Sequence, residues 1–482
     1  MWNRRYPPRV EHAERSHPNV TLAVLCVAGL AFSMLSSAVV PALPTIQHSL
    51  HTSESGIAWI LTAYLLSASV GTAILGRLGD MYGKEHVLVW TLVVLSGGTL
   101  LAGVAGSLPL LIVARTIQGV GGGVFPLAFG IIRDEFPREK VAGSIGLMSA
   151  LLGIGGGVGI VAGALIVEHL SWHWLFWLPL ALFVASTFCT WRFVPESPVR
   201  VPGRVNWLAA ILMSTGMTLV LLAVSETTSW GWGSPRTLGV LGAGAVACAA
   251  WVVTELRSEE PLIDMGLMRV RAVWTANLTA FLLGAGMYAS FIVYPQFAQL
   301  PKSTGFGFGA SVVGSALYLL PSTAGMFVVG FSAGRIARRF GSKAALVVGS
   351  LVTAAAFGVL AVQHAQVYDM LVSSALLGIG IGLAFAALGN IVVQAVEGHQ
   401  TGVATGMNTV MRTVGGALGG QLTATFLASH VRDGLPTITG FEEGFVLSTC
   451  FLAVCALAAL LVPAGARARR RGVENVAVAG AD

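Results

Sequence analysis

Long apolar runs alternate along this chain with short polar connections. A bilayer core about 30 Å thick takes roughly 20 helical residues per crossing. Runs of that length at 20–41, 57–78, 86–106, 108–132, 142–167, 172–191 and 206–225 are followed by others at 237–255, 273–298, 307–330, 343–362, 366–390, 402–428 and 443–463. Helices of this length satisfy their own backbone groups in hydrocarbon, so the pattern predicts an all-α polytopic membrane protein with about 14 transmembrane helices. The connections are mostly short, which makes successive helices antiparallel.

Composition agrees. Of 482 residues, 55% are hydrophobic and only 10% charged, and there are 60 glycines, against about 25% charge in a soluble domain. The net charge of +6 changes meaning once its position is read. Arg77, Lys84, Arg133, Arg138, Lys140, Arg192, Arg200, Arg204, Arg257, Arg269, Arg271, Arg335, Arg338, Arg339 and Lys343 fall on one side of the predicted topology, with the basic residues of both tails. The other side holds Arg236, Lys302 and Arg432. By the positive-inside rule, both termini are cytoplasmic and the chain is a multi-pass cell-membrane protein. The charge is a topology signal and needs no nucleic-acid partner. Cys26, Cys189, Cys248, Cys450 and Cys455 sit in apolar runs without paired spacing, as buried small hydrophobes do.

Gly76-Arg77-Leu78-Gly79-Asp80-Met81-Tyr82-Gly83-Lys84 reads as a polar turn after span 2. It has a partial echo after span 10, Gly334-Arg335-Ile336-Ala337-Arg338-Arg339-Phe340-Gly341-Ser342-Lys343. The echo implies duplication with an inserted pair, six plus two plus six. The expected parts are a tail at 1–19, a six-helix bundle at 20–191, an inserted pair with linkers at 192–272, a second bundle at 273–463 and a tail at 464–482. Such repeats underlie alternating access around a midplane site. Trp230 and Trp232, in the loop joining the inserted pair, suit interface anchors.

Two guanidinium groups fall inside spans. Arg115, followed by Gln118 in span 4, and Arg412, after Asn408 in span 13, are candidates for coupling or cavity lining, because an intramembrane arginine must pair, snorkel or face a wet space. Gly76, Arg77, Asp80, Gly83 and Lys84 form a candidate conformational latch, in which Asp80 contacts a helix N-terminus and Arg77 or Lys84 pairs with Asp134 or Glu135. Gly155, Gly159 and Gly163 recur every four residues in span 5, a stripe suited to close helix packing or gating, and span 13 carries Gly415, Gly416, Gly419 and Gly420. Neither stripe has the strand or the Gly-Lys-Ser/Thr ending of a phosphate loop. Glu54, Glu168 and Asp369 lie at the outer ends of spans, and no carboxylate reads as central.

In order, these features resemble the major facilitator superfamily, and within it the fourteen-span drug:proton antiporters, over roughly residues 20 to 463. Gly76–Lys84 is similar to the superfamily's signature after helix 2. Arg115 and Gly119 resemble its helix 4 motif, whose arginine is implicated in proton coupling. Ser171-Trp172-His173-Trp174-Leu175-Phe176 resembles the signature at helix 6, with His173 in place of arginine. Asn206-Trp207, Pro261-Leu262-Ile263-Asp264, Pro295-Gln296-Phe297 and Leu320-Pro321 are similar to later landmarks. Ala42-Leu43-Pro44 ends a helix 1 motif whose membrane aspartate aligns near Leu35, and Gly159–Ala164 lacks the proline of the helix 5 antiporter motif.

The resemblance implies export of amphipathic small molecules or drugs, with protons as exchange partner, the transmembrane proton gradient as energy source, and no cofactor or metal. Membrane lipids are the other partner; the sequence leaves the oligomeric state open, and a monomer is compatible with it. The alternatives are a transporter of a specific anionic metabolite or lipid-like molecule, motivated by Arg115 and Arg412, and a transport-inactive membrane interaction protein. No Ser/His/Asp set or metal-ligand spacing points to an enzyme.

Overall fold

The computed structural model describes residues 18–52, 54–196, 206–258, 261, 263–432 and 435–463. Residues 1–17 and 464–482 of the two tails, Arg200, Arg204 and Leu262 lie outside the described residues. Within them, fourteen long helical segments follow one another: α1 (Pro18–Ala38), α2 (Glu54–Tyr82), α3 (Lys84–Gly103), α4 (Leu108–Glu135), α5 (Arg138–His169), α6 (Trp174–Phe193), α7 (Trp207–Ser225), α8 (Pro235–Arg257), α9 (Arg271–Gln299), α10 (Val312–Phe340), α11 (Ser342–Val362), α12 (Val367–Ala395), α13 (Thr401–Ser429) and α14 (Ile438–Ala459). Thirteen are apolar enough along their length to cross a membrane. The exception, α13, is as long as α12 but carries threonines, Asn408, Arg412 and many glycines. Trp90, Trp191, Val246, Phe331 and Leu457 are exposed on the outside, where hydrocarbon rather than water is the compatible solvent.

Several boundaries correct the sequence reading, and the largest correction falls on the signature stretch. Gly76–Tyr82 is not a turn but the last part of α2, and Lys84 already begins α3. Only Gly83 breaks the helix, at φ 104°, a conformation that a side chain disfavours. The echo behaves alike: Gly334–Phe340 is helical and Gly341 alone turns, at φ 81°. α10 starts at Val312, not 307, and is interrupted at Tyr318–Leu319. Pro321 supplies the cause, since it has no N–H to offer the preceding turn. The connection from His430 to Gly444 contains a two-residue ribbon, Val431–Arg432 paired with Leu435–Pro436, and α14 begins early, at Ile438. α5 runs as one helix of 32 residues.

The first six and last six helices repeat the same contacts: α1 packs on α5, and α9 on α13. Both pairs use the glycine stripes. A Cβ on Gly155 would lie 2.5 Å from Ser33 Cβ, one on Gly159 2.5 Å from Met34 O, and one on Gly163 2.9 Å from Ala38 Cα. Ser33 Oγ donates to Leu152 O at 2.5 Å across this contact. In the second set, Gly415 and Gly419 meet the backbones of Phe281 and Ala285.

The two sets meet along two seams, α2 against α13 and α5 against α10. At each a glycine pair brings backbones together: Gly76 with Gly402, and Gly334 with Gly143. α7 and α8 pack on each other and lie over the α2–α13 seam, where Ala209, Met213 and Trp251 join Ala73, Val403 and Val410 in one apolar cluster. Trp232 does not simply anchor at an interface: its Nε1 donates to Thr425 Oγ1 of α13 at 2.9 Å, while the Arg236 guanidinium sits 4.1 Å over Trp230. Glu255, at the end of α8, accepts from Trp251 Nε1 and Ile263 N and so fixes the linker that follows.

Candidate functional site

Three groups of polar side chains are buried in this apolar frame. The first surrounds Gly83. Because α2 continues to Tyr82, Asp80 and Lys84 stand one helical turn apart inside the protein, both 0% exposed. Lys84 Nζ lies 3.4 Å from Asp80 Oδ1 and donates to Asp134 Oδ2 of α4 at 2.7 Å. Asp80 Oδ2 accepts from Val403 N at 3.4 Å, in the first turn of α13, where unpaired N–H groups and the helix dipole favour a negative charge. Arg77 makes no ion pair among the described residues. The neighbouring Arg133 reaches across the seam instead. It donates to Val393 O at 2.5 Å, to Thr401 Oγ1 at 2.9 Å and to Val396 O, which serves the carbonyls left over where α12 ends. Sequence reasoning took Arg133 only as a topology marker. The echo has no such cluster: Arg338, at the position of Asp80, is exposed, and Lys343 donates to Leu460 O at 2.6 Å.

The second group is centred on Arg115, 0% exposed and therefore not snorkelling. Its Nη1 donates to Gln118 Oε1 at 2.8 Å, its Nε reaches Ile60 O at 3.4 Å, and its guanidinium lies 4.1 Å over the Tyr64 ring. Gln118 in turn donates to Thr99 Oγ1 at 3.3 Å, and Tyr64 hydrogen-bonds Ser36. This network ties α1, α2, α3 and α4 together from within. One donor, Arg115 Nη2, has no partner among the described residues.

The third group lies between the two sets of helices. Phe129 of α4 and Ser149 of α5 face Phe385 and Gly389 of α12 and Asn408, Thr409 and Arg412 of α13 around a small cavity. Its free space holds about one water molecule. The Arg412 guanidinium stacks 4.6 Å over Phe385 and hydrogen-bonds Tyr288 at the interruption of α9. Asn408 Nδ2 donates to Ala276 O at 3.0 Å and to Asn277 Oδ1 at 3.2 Å. Arg412 and Asn408 thus share a cavity, and Arg115 and Gln118 do not line it. The two arginines do not line one connected cavity, the arrangement that would have supported the metabolite alternative through both of them. Tyr64 and Tyr288, the aromatic partners of the two arginines, lie close enough to interact electrostatically. Neither tyrosine was singled out from sequence, because each is ordinary until its neighbour is known.

No group of three or more potential metal ligands occurs among the described residues. The chain superposes with a TM-score of 0.67 on the human organic anion transporter MFSD10 (TETRAN), covering 92% of this chain and 99% of that one at 14% identity, which is a likeness of fold. It is 29% identical over 427 residues to the "Tetracenomycin C resistance and export protein" of Streptomyces glaucescens, 88% of this chain and 78% of that protein. It is 30% identical over 356 residues to "Multidrug resistance protein 3" of Bacillus subtilis (strain 168), 72% of this chain and 67% of that protein. The sequence profile described as Major Facilitator Superfamily matches residues 25–420 and 276–479. The chain therefore belongs to the major facilitator superfamily and is a multi-pass membrane transporter of small molecules, not an enzyme.

Proposed function

We propose that this transporter exports amphipathic small molecules, drugs among them, from the cytoplasmic side of the cell membrane by proton antiport, with both termini in the cytoplasm. The observation that carries the reading is the pairing of a cavity between the two sets of helices, shared by α4, α5, α12 and α13, with a seam locked at its basic end by Asp80, Lys84, Asp134 and Arg133. The bundles at 20–191 and 273–463 rock about the cavity, with 192–272 as the inserted pair. When the basic end opens, Asp80 leaves the N-terminus of α13 and Arg133 leaves α12. Both are contacts that a rocking motion breaks together.

Arg115 is the coupling residue in this scheme. It is a permanent charge held by a polar network next to the seam, and its Nη2, without a partner among the described residues, can donate to a water or to the carboxylate of a shifted neighbour. The resistance and export names of the relatives support the substrate class.

The test is dye flux in proteoliposomes with an imposed pH gradient, using ethidium, rhodamine 123 and fluorescein. Gradient-dependent movement abolished by a protonophore is expected, with Arg115→Lys losing the gradient dependence, because lysine cannot keep the hydrogen bond to Gln118 while stacking a planar group on Tyr64. Movement indifferent to the gradient would refute antiport. Failure of every dye to move would refute export.

A further inference from the structure

The cavity between the two sets of helices has a charge requirement that general amphipathic transport does not explain. We infer that the ligand it prefers, once the two sets of helices part and widen it beyond the room for one water, is an organic anion: a flat or aromatic molecule with one carboxylate, sulfonate or comparable oxygen anion, held by Arg412 and Ser149. The inference rests on the export reading and names the substrate class for the same site.

Three observations support it. Arg412 sits mid-helix and is 7% exposed, with its charge permanent and no carboxylate within 4.0 Å among the described residues. Its partners are the hydroxyl of Tyr288 and the aromatic face of Phe385. A buried guanidinium without a counter-ion is costly, and an entering anion offsets that cost where an entering cation adds to it. Second, none of the side chains around the cavity is acidic, so a cationic drug would find no carboxylate there to offset the charge of Arg412. Third, Ser149 is 2% exposed, lines the cavity, and its Oγ has no hydrogen-bond partner among the described residues. A buried hydroxyl left this way is a donor in want of an acceptor. It comes from α5, while Arg412 comes from α13, so an anion bridging the two would touch both moving parts. Phe129 and Phe385 supply flat apolar walls for the rest of the molecule.

Fluorescein and rhodamine 123 share a ring system and differ in charge, which isolates the question. The full-length protein is reconstituted in phosphatidylcholine liposomes and the initial rates of both dyes are measured. The wild type should favour fluorescein by about tenfold or more, the scale of a buried charge-assisted contact. Arg412→Gln should collapse or invert that ratio, Arg412→Lys should keep part of it, and Ser149→Ala should lower it about threefold. Fluorescein binding to detergent-solubilised wild type, competed by benzoate but not by benzylamine, gives a readout that needs no variant to fold. A wild type that moves rhodamine 123 in preference would overturn the anion assignment and leave export standing, whereas movement of neither dye would overturn both. A second set of liposomes containing phosphatidylglycerol separates a small-molecule anion from a lipid headgroup. Suppression of fluorescein movement by that lipid would assign the site to lipid and overturn the substrate reading.

Discussion

Gly76→Ala should push this transporter out of the conformation described here without unfolding it. The added Cβ would lie 2.5 Å from Gly402 O and 2.7 Å from Gly402 C, and ordinary contact begins at 3.4 Å, so α2 and α13 must separate by 3.4 − 2.5 = 0.9 Å at that point. Both atoms it meets are backbone, so no side chain can rotate away. Overpacking of this kind costs about 1–3 kcal/mol. The contact belongs to the seam and not to the interior of either set of helices, so the cost falls on the closed state alone. That shifts the balance between closed and open basic ends by roughly 5- to 150-fold.

The assay is electron-spin distance measurement in nanodiscs between labels at Tyr82 and Gln394, both exposed at the basic end on opposite sides of the seam. The protein background should lack the five native cysteines. Gly76→Ala should move weight to a longer distance while the melting temperature changes little. Gly97→Ala is the control, since nothing lies within 4 Å of its Cβ, and it should match the parent. A parental distance distribution for Gly76→Ala would refute the argument that this glycine sets the closure.

Two other substitutions act on stability. Lys84→Met keeps the aliphatic stem that packs under Gly130 but leaves Asp80 and Asp134 buried without their shared cation. It should lower stability by about 3–5 kcal/mol, visible as a large drop in melting temperature by intrinsic fluorescence, and an unchanged transition would contradict the ion-pair argument. Gly159→Val should cost about 1–3 kcal/mol and reduce the yield of monodisperse protein, because its branches meet the Met34 backbone. Gly156→Ala, with open space around its Cβ, should purify normally; equal loss from both would show that the stripe's spacing is irrelevant.

The apolar runs revealed the helices because a fixed membrane thickness imposes a length that no soluble fold requires. Even α13, more polar than the other spans, was legible as a run of membrane length at 402–428. The stretch at Gly76 was misread because polarity was equated with exposure. Asp80 and Lys84 are buried and matched to each other, Asp134 and a helix end, so the helix has no reason to stop before Gly83. Arg115 and Arg412 stood out by their rarity in apolar runs. Their partners Tyr64, Gln118, Tyr288 and Phe385 are a different matter. Gln118 is a helical neighbour of Arg115 and could be read from spacing, but the aromatic residues come from helices whose adjacency no periodicity records. For the same reason nothing in the sequence separated Arg115 from the cavity of Arg412, or showed that Arg133 reaches the end of α12.

The placement of α7 and α8 over only one seam makes the protein's flanks unequal. Along α2 and α13, acyl chains meet the inserted pair, tied down at Trp232 and Glu255. Along α5 and α10 no inserted helix intervenes, and the exposed Phe327 and Phe331 lie on the bilayer side of α10. A solute dissolved in the membrane therefore meets a seam covered by helices on one flank and a seam packed directly against lipid on the other. Twofold resemblance between the halves does not extend to the surface that a lipophilic compound meets first.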